Sequence, residues 1–413
     1  MAAKTTFLAN LGSSRCNMTP MTIQVSRALA ATLSVQAIVT MATLTVPVFA
    51  PAAAADIGLD PSNIGIFASI IYVGAMASSL LSGGLSPRYG AIRVSQIGLG
   101  ISLFGLALSA TASWQVMIAS ALLLGIGLGP ATPASSHILV RTTPAHLAGF
   151  VFSIKQTGVP LGGVFAGALV PLFVVHLGWR GAALAVAVIC LACAVLIQPA
   201  RRHFDTELRR DGRAFEGSLL EPLRLVLVLP ELRHLAFASF FFAAIQQSFS
   251  VFLVTYLVAG LDMPFIKAGV TLAIGQAAGI VGRIIWGAMA DWIRNARLVL
   301  GGLGLAMTGA GLAASAFTAE WSYAAIVGVC IIFGATAVGW NGVFLAEVAR
   351  LAPADQAGQA TGGVLFFTFF GVVAAPPLFG VVVLLTGSYG FGFVILSALT
   401  GIFGLLLVVR RDL

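Results

Sequence analysis

Of 413 residues, 59% are hydrophobic and only 9% charged, against roughly 25% charged in an ordinary soluble domain. So little charge cannot clothe a water-soluble globule of this length, and most of the surface must face lipid. The net charge of +8 does not signal nucleic acid, because the basic residues form short clusters between apolar runs and no basic stripe carries interleaved aromatics.

A helix needs about 20 apolar residues to cross the hydrocarbon core of a bilayer. Twelve such runs follow in chain order: 28–50, 62–84, 93–112, 114–139, 147–174, 179–199, 233–259, 265–289, 296–317, 321–346, 357–385 and 389–409. Their hydropathy is continuous rather than alternating, which excludes a transmembrane barrel. The first run is followed by Phe49-Ala50-Pro51-Ala52, yet it is too long for the apolar region of a signal peptide. The expected class is therefore an all-α membrane protein with twelve transmembrane helices.

Charge orients the chain. With the N-terminus inside, the cytoplasmic segments collect eighteen of the 22 lysines and arginines, and the outside receives only Arg180 and Lys267. That bias satisfies the positive-inside rule, and an even number of spans puts both termini in the cytoplasm of a multi-pass inner-membrane protein. The one long polar stretch, 200–232, divides the chain. The expected organisation is a tail (1–27), a six-helix bundle (28–199), a cytoplasmic central loop (200–232), a second six-helix bundle (233–409) and a short tail (410–413). Two bundles joined this way can rock around a central site.

The halves echo each other. The second run ends Gly83-Gly84-Leu85-Ser86-Pro87-Arg88-Tyr89-Gly90, with Arg93 beyond it. The eighth ends Gly287-Ala288-Met289-Ala290-Asp291-Trp292, with Arg294 beyond it. These segments resemble the G-x-L-x-D-R-x-G-R loop motif of the major facilitator superfamily. Pro87 stands at the acid position of the first copy and Trp292 at the arginine position of the second. The resemblance covers essentially the whole chain and implies the major facilitator fold, two six-helix bundles working by alternating access. A carboxylate at the cytoplasmic end of one helix can pair with arginines or a helix N-terminus of its neighbour and so latch one conformation. Asp291, Arg88, Arg93 and Glu347 are the candidates for gating.

Lys155 and Arg283 are the two cations left inside the spans. Each costs about 2.5–3.5 kcal/mol near a helix centre on insertion scales, which makes it a functional-site hypothesis by default. Each lies about 12 Å from the cytoplasmic end of its helix at 1.5 Å per residue, deep for a side chain that must snorkel to water. In the superfamily's arrangement the fifth and eighth helices pack side by side. Gly158, Gly162, Gly163 and Gly167 on one and Gly275, Gly279 and Gly282 on the other permit close approach. No intramembrane acid is at hand, so two adjacent cations call for an anionic ligand, and arginine offers a carboxylate two parallel hydrogen bonds. The segment Arg283-Ile284-Ile285-Trp286-Gly287-Ala288-Met289-Ala290-Asp291 is similar to the R-P-x-x-G-x-x-x-D segment of monocarboxylate transporters, with Ile284 in place of the proline. There the arginine binds the substrate carboxylate. Tyr72, Gln156, Gln246, Gln247, Gln276 and Asn341 are candidates to complete the pocket, with Gln36 and Trp340 among the further polar side chains of the spans.

The expected function is secondary transport of a small organic anion, a carboxylate above all, with protons as the candidate coupling ion. Lysine can give up its proton and arginine stays charged, so Lys155 is the candidate carrier. The alternative is efflux of amphipathic drugs, since Gly158-Val159-Pro160-Leu161-Gly162-Gly163 lies close to the G-P-x-x-G-G motif of drug antiporters. Basic rather than acidic pocket residues argue against cationic drugs. No HExxH, GxSxG or Walker A pattern is present, so neither an enzyme nor an ATP-driven pump is expected. No pore loop suggests a channel. Cys190 and Cys193 form a CxxC inside an apolar run, where neither a metal nor a disulfide is expected. The expected chain is a monomer without cofactor, metal or nucleic acid, whose partners are the lipid bilayer and its substrate.

Overall fold

The computed structural model describes residues 20–58, 60–111, 113–144, 148–205, 220–353 and 357–409. The expected tail up to residue 19, residues 206–219 of the central loop and the tail 410–413 lie outside the described residues. Among those described, regular structure is helical throughout. In chain order the helices are α1 (Pro20–Ile57), α2 (Ile64–Tyr89), α3 (Ala91–Ser109), α4 (Trp114–Leu128), α5 (Ala131–Thr142), α6 (Ala148–Gln156), α7 (Gly158–Leu196) and α8 (Gln198–Phe204). The second half comprises α9 (Leu220–Val228), α10 (Pro230–Thr255), α11 (Phe265–Ile293), α12 (Ala296–Ser315), α13 (Tyr323–Ala337), α14 (Asn341–Leu351), α15 (Ala357–Thr386) and α16 (Tyr389–Val409).

Eleven helical runs are long and apolar enough to cross a membrane, and one of them, Val151–Phe204, has 54 residues. At 1.5 Å per residue it would measure about 80 Å, against a hydrocarbon core of about 30 Å. It cannot be one crossing. Gly178 breaks it at φ 70°, ψ 169°, a conformation open to glycine because it has no Cβ. The two pieces are the fifth and sixth of twelve passages.

Several expected spans differ in detail. The first starts at Pro20 and continues to Ile57, so its ends extend beyond the apolar run. The fourth, fifth and tenth are each divided, at Gly129-Pro130, at Thr157 and at Val338–Trp340. A short helix, α8, and another, α9, occupy parts of the expected central loop.

Within the first half, α1 packs along the fifth passage, where Gly158 faces Gln36 and Gly162 faces Thr40. Within the second half, the corresponding pair is α10 and α15. Aromatic rings fill the second half: Phe249–Phe333 centroids are 4.7 Å apart and Phe252–Phe379 4.5 Å. The halves meet along two seams. Ser69 donates to the Val373 carbonyl, and Gly65 lies against Pro376, both between α2 and α15. Gly163 lies against Gln276, and Gly167 against Gly269 and Ala273, between α7 and α11. These contacts run from mid-membrane toward the face opposite the arginine-rich helix ends.

Candidate anion site between the halves

Lys155 sits one residue before the end of α6 and is only 1% exposed. Its ammonium donates to Gln36 Oε1 at 3.1 Å, Thr132 Oγ1 at 3.2 Å and Gln156 Oε1 at 3.4 Å. Those acceptors come from the first, fourth and fifth passages. Thr132 reaches the cluster because it opens α5 just beyond the Gly129-Pro130 break, and its hydroxyl also donates to Gln36 Oε1 at 3.1 Å. Three neutral oxygens satisfy the three N–H groups of the ammonium, so its charge is solvated but not cancelled.

Arg283 is half-buried on α11. Its Nε donates to the Val338 carbonyl at 3.1 Å and its Nη1 to the Gln156 carbonyl at 2.7 Å. Both acceptors are carbonyls at helix ends, which have no intrahelical donor. Gln156 closes α6 and Val338 follows α13. One guanidinium therefore bridges a broken helix in each half. A guanidinium has five N–H groups, so three remain for a ligand. Trp286, three residues on, donates to Ala335 O at 2.7 Å beside the same break.

Gln156 joins the two cations, its side chain on Lys155 and its carbonyl on Arg283. The ammonium and guanidinium lie within Coulombic range of each other. Among the described residues no carboxylate pairs with either; Asp56 pairs with Arg180 and Glu347 with Arg350. The site can accept negative charge.

A set of amides lies at the break that Arg283 binds. Gln246 Oε1 accepts from Trp340 Nε1 at 2.9 Å and from Asn341 Nδ2 at 3.4 Å. Trp340 ends the Val338–Trp340 break that Arg283 grips and Asn341 begins the next helix, so the amide cluster and the guanidinium share one hinge. Gln247 on α10 meets Tyr72 on α2, a side-chain contact between the halves. Gln276 is set apart: it is buried, donates to Ser250 Oγ at 2.9 Å and packs on Gly163. Its role here is in the seam between α7 and α11.

The gating candidates are not brought together. Glu347 is 2% exposed and held by Arg350 of its own helix α14, both carboxylate oxygens accepting at 2.7 Å. Asp291 and Arg93 are exposed, and Arg88 lies over the ring of Tyr89 at 5.4 Å. The carboxylate that does cap a helix on this face is Asp205, which accepts from Ile92 N and Arg93 N at 3.0 Å each. A carboxylate on a helix N-terminus is stabilised by the unpaired N–H groups there. Sequence reasoning missed Asp205, because it stands 112 residues from its partner. It also missed Thr132, one threonine among many, and the two backbone carbonyls. The Gly-Pro dipeptide at 129–130 was the available signal for the first break. The Gly158–Gly163 segment faces Gln36, Thr40 and Gln276 with its glycines, and Cys190 and Cys193 are buried free thiols.

The chain matches the family model described as Major Facilitator Superfamily over residues 32–376. It is 25% identical over 378 residues to a probable hexose phosphate transport protein of Chlamydia trachomatis, covering 83% of this chain and 81% of the relative. It is 23% identical over 374 residues to a hexuronate transporter of Bacillus subtilis, covering 86% and 87% respectively. The crystal structure of the nucleoside transporter NupG superimposes with a TM-score of 0.73 at 15% identity, covering 93% of this chain and all of that one.

Proposed function

The chain belongs to the major facilitator superfamily, and from that premise we propose that it moves a small organic anion, a carboxylate first of all, across the inner membrane by alternating access. The observation that carries this reading is the pair Lys155 and Arg283, adjacent, at the junction of the halves and without a carboxylate partner among the described residues. A substrate carboxylate would take the remaining N–H groups of Arg283 and share the ammonium of Lys155. Gln246 and Asn341 would contact the far end of the substrate. The names of two relatives, a hexose phosphate transport protein and a hexuronate transporter, denote organic anions. In this reading the bundles 28–199 and 233–409 rock around the site, both termini lie in the cytoplasm, Lys155 is the proton carrier and a monomer suffices. The drug-efflux alternative loses support, because the glycines of Gly158–Gly163 face neighbouring helices, as packing residues do.

The deciding experiment is uptake of labelled short carboxylates, sugar acids included, into proteoliposomes, wild type beside Arg283→Ala. We expect saturable uptake that the variant loses while remaining monodisperse. Carboxylate uptake that persists unchanged in Arg283→Ala would overturn the assignment of the site.

A further inference from the structure

A cavity lies away from the site just described. It holds about 780 Å³ and runs between α1 and the two passages of α7, with Ala30, Ser34, Leu161, Phe165, Ile189 and Leu196 on its walls. Arg27 and His203, both exposed, line the end nearest the start of α1 and the helix α8, its mouth. On α1 the cavity is lined by residues 27, 30, 31, 33, 34, 37 and 38, which together occupy somewhat less than half of the helix circumference. Gln36, which holds Lys155, is two residues and about 200° from Ser34, on the other side of the helix. The cavity therefore opens outward, between passages, and Leu196 at its edge is 78% exposed.

We propose that this groove binds an anionic phospholipid of the leaflet on the arginine-rich side, an acyl chain in the groove and the phosphate at Arg27 and His203. Three observations carry it. The first is chemistry along the length: the groove is apolar from Ala30 inward and basic only at its mouth, the polarity of a phospholipid. The second is length. Arg27 to Ile38 spans eleven residues, about 16 Å of helix, which matches one leaflet of a hydrocarbon core about 30 Å thick. The third is charge. Arg27 is exposed and α8 adds Arg201 and Arg202 beside His203, while the nearby carboxylate, Asp205, is committed to the N-terminus of α3. Basic pockets between transmembrane helices suit anionic headgroups. A zwitterionic lipid would gain the same apolar contacts and less from the cations. This inference does not depend on the substrate assignment, since the two sites share no residue.

Native mass spectrometry tests it, on protein released from nanodiscs of equal phosphatidylglycerol and phosphatidylcholine. The wild type should retain phosphatidylglycerol in preference, by about fivefold for the Arg27 charge alone. Arg27→Ala with His203→Ala should bring the two lipids close to equal. Ala192→Trp, which narrows the groove and leaves Arg27 and His203 in place, should lower retention of either lipid. Arg224→Ala, an exposed arginine of α9 on the same face, should change nothing. An unchanged preference in the double variant, or an equal fall in Arg224→Ala, would overturn the proposal. So would photoactivatable phosphatidylglycerol that labels the chain elsewhere than Leu161, Phe165 or Ile189.

Discussion

Arg283 is held by two carbonyls that are available only because two helices are interrupted. The Gln156 and Val338 oxygens accept at 2.7 and 3.1 Å, and the guanidinium keeps three further N–H groups for a ligand. Lysine cannot reproduce this, since a single ammonium on a flexible stem has no planar fork with which to meet two fixed carbonyls and a carboxylate together. A hydrogen bond to a charged group contributes about 1.5–3 kcal/mol, so Arg283→Lys should raise the KM for the anion about tenfold or more; a KM within twofold of wild type would show that charge alone suffices. Lys155 makes a different prediction. Its ammonium binds three neutral oxygens, and glutamine can keep some of those bonds without the charge. If the protonated amine is the anion's partner, wild-type uptake falls as pH rises and the amine loses its proton. Lys155→Gln should then be slow and insensitive to pH, and a variant with the full wild-type pH profile would remove Lys155 from the coupling step. Both cations were legible in the sequence, because charge inside an apolar run is conspicuous. What holds them was not, because a backbone carbonyl has no letter and Thr132 is one threonine in spans that contain several.

Elements tell a similar story. The twelve passages follow from hydropathy alone, and the break at Gly178 falls between the fifth and sixth runs. The interruptions of the fourth and tenth passages were not read, since Gly129-Pro130 and Val338–Trp340 lie inside runs whose hydropathy hardly falls. Yet both places supply the site. One introduces Thr132 to Lys155, and the other offers Val338 to Arg283 and Trp340 and Asn341 to Gln246. They occupy equivalent positions, fourth in each half. Among the gating candidates, Glu347 finds its arginine one helical turn away on α14, a pairing that needs no second helix. The packing of the fifth passage on α11, by contrast, was visible in its glycines. A Cβ on Gly167 would lie 2.7 Å from Ala273 N, so backbone would have to give way. Overpacking of this kind costs about 1–3 kcal/mol. Gly167→Val should therefore separate the seam and reduce uptake several-fold while the chain stays folded. Measured alongside, Gly302→Val, where a Cβ meets nothing within 4 Å, should transport normally; equal losses in both would point to a general intolerance of valine rather than to the seam.

At the scale of the whole molecule, the two seams set what rocking has to break. Ser69 with Val373 and Gly65 with Pro376 close α2 against α15; Gly163, Gly167 and Arg283 close the fifth passage against α11. These contacts extend from the depth of the two cations toward the face opposite the arginine-rich ends. If alternating access operates by rocking of the two bundles, these contacts must part once in every cycle. Joining them covalently should then stop turnover and leave binding intact. In a chain whose native cysteines have been replaced, Ser69→Cys with Val373→Cys puts one thiol on each side of the place where the Ser69 side chain meets the α15 backbone, to be joined by a short bifunctional thiol reagent that is itself cleavable by reduction. Cross-linking should abolish uptake and reduction should restore it, while anion binding from the arginine-rich side persists in both states. Loss of binding together with uptake would mean that the cross-link had distorted the site instead. Uptake that continued with the cross-link formed would mean that the α2–α15 seam stays shut throughout the cycle, and the motion would have to be sought in the separate halves of the broken fourth and tenth passages.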